Sequence, residues 1–103
     1  MVYKSIIGKK IELTEERKQH ILIRHPDVAS HFSKTPKVLS NPDEIRIDSE
    51  DQHVLLFYKY FSKIGSGKYL AVVVKINNRN FILTEYSTYR IKTGVKYDIK
   101  KST

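Results

Sequence analysis

The residues of this chain that could do chemistry are histidines, tyrosines and an excess of cations. His20 and His25 stand five residues apart at the end of a helical pattern. Lys59 and Lys75 lie in strand-like runs. Thr84, Tyr86, Tyr89, Arg90 and Lys92 follow one another within Phe81–Lys92, FILTEYSTYRIK. This stretch begins as an apolar/polar alternation and ends in hydroxyl, aromatic and basic side chains. A core strand has no need of that ending, whereas a surface that grips a phosphate backbone does. The set suits RNA cleavage without a metal. The ribose 2′-hydroxyl attacks its own phosphate, a base removes that proton, an acid protonates the leaving 5′-oxygen, and a cation stabilises the charge on phosphorus. Histidine titrates near neutral pH and suits the first two roles. Arginine or lysine suits the third, and threonine or tyrosine can orient the phosphate by hydrogen bonds.

A metal centre fits these residues less well. Five residues separate His20 from His25, about 140° around a helix, whereas zinc-binding helices use a spacing of four. There is no cysteine, which also excludes disulfides and thiolate chemistry. The expectation is no metal and no cofactor. The formal net charge is +8. Asp43, Glu44, Asp48, Glu50 and Asp51 share one short segment, so the remainder is more basic still, and an anionic partner is expected, nucleic acid first. No run approaches the ~20 apolar residues of a membrane span, and Met1–Lys10 lacks the apolar stretch of a signal peptide. A single cytoplasmic domain spanning residues 1–103 is the expectation.

The elements that must position these groups come in two blocks. Thr14 before Glu15 and Glu16 reads as a helix start. The helix should run to Arg24, because His25 precedes Pro26 and is pushed out of helical geometry; Ile21, Leu22 and Ile23 supply its buried side. A second helical piece from Asp27 carries Val28 and Phe32, and Thr35-Pro36 reads as a cap followed by proline at the first helical position. Strand patterns follow: Ile45 and Ile47, then His53–Phe61, Tyr69–Ile76 and Phe81–Ser87, separated by turns at Ser49–Gln52, Gly65–Gly67 and Asn77–Asn80. Gly94 marks a turn, with Val95–Ile99 a candidate edge strand. The predicted fold is α+β, with N-terminal helices packed on one face of a four-stranded antiparallel β-meander.

A two-residue loop between the last two strands places Lys75 near Ile82, Val73 near Thr84 and Ala71 near Tyr86. Phe81 and Leu83 then lie under the helices, and Lys75, Thr84 and Tyr86 on an open face. A loop one residue longer or shorter swaps the faces. Lys59 is assigned to the open face because a lysine is rarely buried without a partner. Glu85 points towards the helices, where it needs a partner or an outlet.

An N-terminal helix ending in His20, His25 and Pro26, then Asn41-Pro42-Asp43, Phe57-Tyr58-Lys59-Tyr60 and Phe81–Tyr86, resembles phage-type members of the barnase–EndoU–colicin–RelE (BECR) nuclease superfamily. The resemblance implies helices on a four-stranded antiparallel sheet and a metal-independent endoribonuclease of toxin or phage-effector type. It maps the catalytic location onto His20, His25, Lys59, Thr84 and Tyr86, with Arg90 beside them. Arg17, Arg24, Lys75, Arg90 and Lys92 are the expected nucleic-acid contacts. RNA is the expected partner, with an acidic antitoxin or immunity protein covering the site. Two other classes remain open: a non-catalytic RNA or single-stranded DNA binding module, whose tyrosines stack on unpaired bases, and a protein-interaction domain that uses the acidic segment 43–51.

Overall fold

The computed structural model describes residues 1–65, 67–91 and 95–98. Its strands are β1 (Val2–Lys4), β2 (Lys10–Glu12), β3 (Glu44–Ile47), β4 (Val54–Phe61), β5 (Lys68–Ile76), β6 (Asn80–Thr88) and β7 (Val95–Lys96). The α-helices are α1 (Glu15–Arg24) and α2 (Thr35–Ser40), joined by a 3-10 segment, Pro26–Lys34. The strands form one mixed sheet in the order β1-β2-β6-β5-β4-β3-β7.

This α+β domain is not built on a four-stranded antiparallel meander. β3 to β6 pair consecutively and antiparallel, but β2 adds to β6 in parallel, with Glu12 opposite Phe81. β1 and β7 then take the two edges. The added strands are two or three residues long, too short to show a period of two. β2 also meets a partner from the other end of the chain. The β1–β2 turn is closed locally: Gly8 takes φ +77, and the Ser5 hydroxyl donates to the Lys9 carbonyl at 2.6 Å.

Helix α1 has the limits expected from its sequence. Thr14 Oγ1 accepts the Arg17 N–H at 3.1 Å, satisfying a donor that the first turn leaves free. His25 leaves the helix at φ −134, ψ 70 while its N–H still donates to the Ile21 carbonyl at 2.7 Å. Only Ile21 of the apolar triplet is fully buried, and Ile23 is 79% exposed. Three consecutive residues spread over about 200° of a helix and cannot share one face. Thr35 does not cap α2. Its hydroxyl donates to Glu85 at 2.6 Å instead.

The sheet has apolar residues on both faces. Ile21, Val28, Val38 and Leu39 pack with Ile45, Leu55, Phe57, Leu70, Val72, Val74 and Ile82 on the helix side. On the other side Val54, Leu56, Tyr58, Ala71 and Val73 are buried, with Tyr69, Leu83, Tyr86 and Ile91 packed against them. The face expected to be open therefore carries a second apolar layer. A β-bulge sets which residues belong to it. Val73 pairs with Thr84 and Ala71 with Tyr86, as expected, but Val74 pairs with Ile82, so Lys75 lies opposite Phe81 rather than Ile82. Leu83 is the extra residue. Past the bulge the parity reverses. Ile82 joins the helix-side core, and Leu83, expected there, packs on the other face. Among the described residues no helix is long and apolar enough to cross a membrane.

Candidate active-site groove

Arg17, His20, Ile21 and Arg24 recur at helical spacing and make one stripe of α1. Ile21 sits in the core and pins that stripe to the sheet. The chain enters α1 soon after β2 leaves β6, so the helix, not a strand, packs along β6 beyond Phe81. The bulge lies opposite it. Between them is a groove of about 300 Å3 lined by Arg17, His20, Ile21, Arg24, His25, Leu83 and Thr84. Five residues singled out by sequence, Arg17, His20, Arg24, His25 and Thr84, thus share one cavity.

The groove is cationic. Among the described residues neither Arg17 nor Arg24 has a carboxylate partner, and the ion pairs those residues form lie elsewhere. His20 is exposed and His25 half-buried. The His25 ring lies 5.8 Å from the Tyr86 ring at a tilt of 37°. Beyond His25, Asp27 accepts a hydrogen bond from the Ser87 hydroxyl at 2.7 Å, which ties the start of the 3-10 segment to β6 and fixes where His25 ends up.

Tyr86 enters the site by its ring. Burial first, then a hydrogen bond with Tyr58 and the negative charge of Asp48, push its phenol well above the ordinary tyrosine range. It stays protonated, and its hydroxyl is committed to a neighbour that is itself fully buried. Tyr86 meets His25 through its ring and not through its hydroxyl.

The two lysines lie outside the groove. Lys59 alternates with Phe57 onto the helix side, where its Nζ donates to the Asn41 carbonyl at 2.9 Å and stands 3.7 Å from Asp43. Its partner is the carbonyl of Asn41, the residue that caps the C-terminus of α2, which overturns its placement on the open face. Lys75 shares the Tyr86 face but is bonded to Asp51. It also lies four residues along β5 from Ala71, about 13 Å at the rise of a strand. The bond to Lys75 holds the Asp51 carboxyl below its ordinary range. Arg90 is exposed after β6, where its N–H donates to Thr88 Oγ1 at 3.3 Å, and it does not line the groove. Lys92, Gly94 and Ile99 lie outside the described residues.

Glu85 points towards the helices, is fully buried and takes the Thr35 hydroxyl bond. Its Oε2 has no hydrogen-bond partner among the described residues. Burial raises its carboxyl to about 7 against the opposing effect of the Thr35 bond. The acidic segment is largely engaged within the chain: Glu44 pairs with Arg46 and Lys96, Asp43 with Lys59 and Asp51 with Lys75.

Sequence reasoning missed Leu83 as a wall of the groove, Tyr58 as the partner of Tyr86, and the Asp27–Ser87 tie. None has a local signal, because each joins segments far apart in the chain. The assembled groove can hold one phosphate between two guanidinium groups and a threonine hydroxyl, beside two imidazoles. The guanidinium charges disfavour a bound cation, and among the described residues no three His, Asp or Glu side chains are grouped to hold one. No protein-family model, no curated protein and no solved structure matches this chain.

Proposed function

We propose that this chain is an endoribonuclease that cleaves RNA by 2′-hydroxyl attack without a metal ion. The observation that carries the reading is the single cavity shared by His20, His25, Arg17, Arg24 and Thr84. One imidazole accepts the 2′-hydroxyl proton as that oxygen bonds to phosphorus. The other, as imidazolium, gives its proton to the 5′-oxygen as the P–O5′ bond breaks. The products are a 2′,3′-cyclic phosphate and a 5′-hydroxyl, and no water is consumed. Arg17 and Arg24 offer charge-assisted hydrogen bonds to the non-bridging oxygens, whose charge grows in the transition state. Thr84 orients the phosphate. Lys59 and Lys75 take no part, since each is held by another group. The resemblance to BECR nucleases supports this reading through His20, His25 and Thr84; the sheet it implied is not this one. A toxin or phage-effector role fits the same chemistry, with an acidic antitoxin or immunity protein as the partner that neutralises the groove.

The test is incubation of the purified protein with RNA in EDTA. Cyclic-phosphate ends should form, and His20→Ala should slow their formation about 100-fold or more. RNA left intact at high protein concentration would sink the proposal. The second reading is a non-catalytic binder of RNA or single-stranded DNA. It is favoured by the exposed rings of Tyr60 and Tyr89, and it predicts salt-sensitive binding with no turnover.

A further inference from the structure

On the face of the sheet away from the helices, a series of aromatic rings leads from the groove to the protein surface. His25 meets Tyr86 at 5.8 Å between ring centroids. Tyr86 is hydrogen-bonded with Tyr58, Tyr58 meets Tyr69 edge-on at 6.4 Å, and Tyr69 meets Tyr60 at 5.5 Å and 70°. Strand register produces the series: Tyr58 pairs with Ala71 and Tyr60 with Tyr69 across β4 and β5, while Ala71 and Tyr69 pair with Tyr86 and Thr88 across β5 and β6. Exposure rises outward. Tyr58 is fully buried, Tyr69 is partly exposed, and Tyr60 is 49% exposed.

Tyr60 is held in place. Its ring lies across Gly67, where a Cβ would come within 2.1 Å of the phenol oxygen. Its N–H donates to Asp43 at 2.7 Å, and Lys59 offsets that carboxylate. An exposed tyrosine clamped by a glycine, a neighbouring ring and a backbone bond costs little ordering entropy when a flat ligand stacks on it. A polyanion is the ligand that matches the surroundings. The chain carries +8, Lys63 and Arg90 are exposed, and Arg17 and Arg24 wait in the groove at the other end of the series.

We infer that Tyr60, backed by Tyr69 and Gly67, is a stacking subsite for an unpaired base of the same RNA strand whose phosphate occupies the groove. The inference rests on the endoribonuclease reading for its substrate and assigns that substrate as single-stranded RNA longer than a dinucleotide. Aromatic stacking tolerates any base, so the subsite adds affinity and not sequence choice. A duplex, whose bases are already stacked, gains nothing from it.

Two measurements test it. In the first, a 2′-O-methyl RNA hexamer, which has no attacking hydroxyl, is bound to the wild-type chain and to Tyr60→Leu and Tyr60→Phe. Tyr60→Leu should weaken binding about 10-fold, Tyr60→Phe should restore most of it, and the same sequence as a duplex should show no difference between variants. In the second, kcat/KM is compared between an RNA hexamer and a dinucleotide. The ratio should exceed one in the wild type and collapse towards one in Tyr60→Leu. Equal hexamer affinity for wild type and Tyr60→Leu would overturn the subsite even if RNA is cleaved. Tyr60-dependent binding with no cleavage of either substrate would instead overturn the endoribonuclease reading and keep the stacking platform.

Discussion

Tyr86 sends its ring and its hydroxyl to different places. The ring faces His25, while the hydroxyl is spent on Tyr58 inside the second apolar layer. The two substitutions at this position should therefore separate. Tyr86→Phe should keep cleavage within a few-fold of wild type and lower stability by about 1–3 kcal/mol, because the buried Tyr58 hydroxyl loses a partner. Tyr86→Ala should lower cleavage about 10-fold or more by releasing His25. Initial rates set beside urea midpoints for the two variants check this. The expectation from sequence, that the tyrosine hydroxyl meets the phosphate, predicts instead that Tyr86→Phe slows cleavage about as much as Tyr86→Ala. Glu85 makes a separate prediction. Its folded value of about 7 lies above the ordinary 4.5, so the fold favours the protonated acid. Its contribution is complete below pH 4.5 and is lost as pH rises to about 7, on the order of 3 kcal/mol in all. Glu85→Gln cannot ionise. It should remove that decline and be more stable than wild type at pH 8, as urea unfolding at pH 5 and pH 8 would read. A wild-type stability that rises over this range would contradict the assignment.

Helix α1 holds four of the groove residues, so its anchoring governs the site. The Thr14 cap and the buried Ile21 are the two anchors. Thr14→Ala should cost about 1 kcal/mol of stability, and Ile21→Ala about 2–5 kcal/mol, measured by chemical denaturation. An Ile21→Ala loss below about 1 kcal/mol would mean that the helix does not dock as described. The limits of α1 could be read from sequence because caps and X-Pro restrictions act between neighbours. Strand β6 was readable only in part. Thr84, Glu85 and Tyr86 alternate, and their partners Val73, Val72 and Ala71 follow from a short loop. Phe81, Ile82 and Leu83 are three apolar residues in a row and carry no parity, so the bulge was free to choose Ile82 for the core and Leu83 for the groove. The short strands β1 and β2 left no periodic trace.

Over the whole molecule the charge is distributed by pairing. Glu12, Glu44 and Asp51 are each bonded to a nearby cation, and Asp43 lies beside Lys59. Among the described residues Arg17 and Arg24 take part in none of these ion pairs. Binding of the 2′-O-methyl hexamer should weaken with salt, with about 0.7 of log–log slope for each phosphate neutralised on a single strand. Both arginines face the one phosphate of the groove, so the double variant Arg17→Ala/Arg24→Ala should flatten that slope by about 0.7 between 50 and 200 mM salt in an anisotropy titration. An unchanged slope would place the nucleic acid elsewhere. By itself the sequence determined the cast of residues, the ends of α1, the inward direction of Glu85 and the cationic excess. These follow from residue type and from contacts within a few positions. Only the tertiary structure decided that the sheet has seven strands, that its second face is apolar, that Lys59 and Lys75 serve other partners, and that the two histidines share a groove with Thr84. Each of those outcomes depends on register, edge pairing or charge pairing between segments distant in the chain, and no local pattern encodes them.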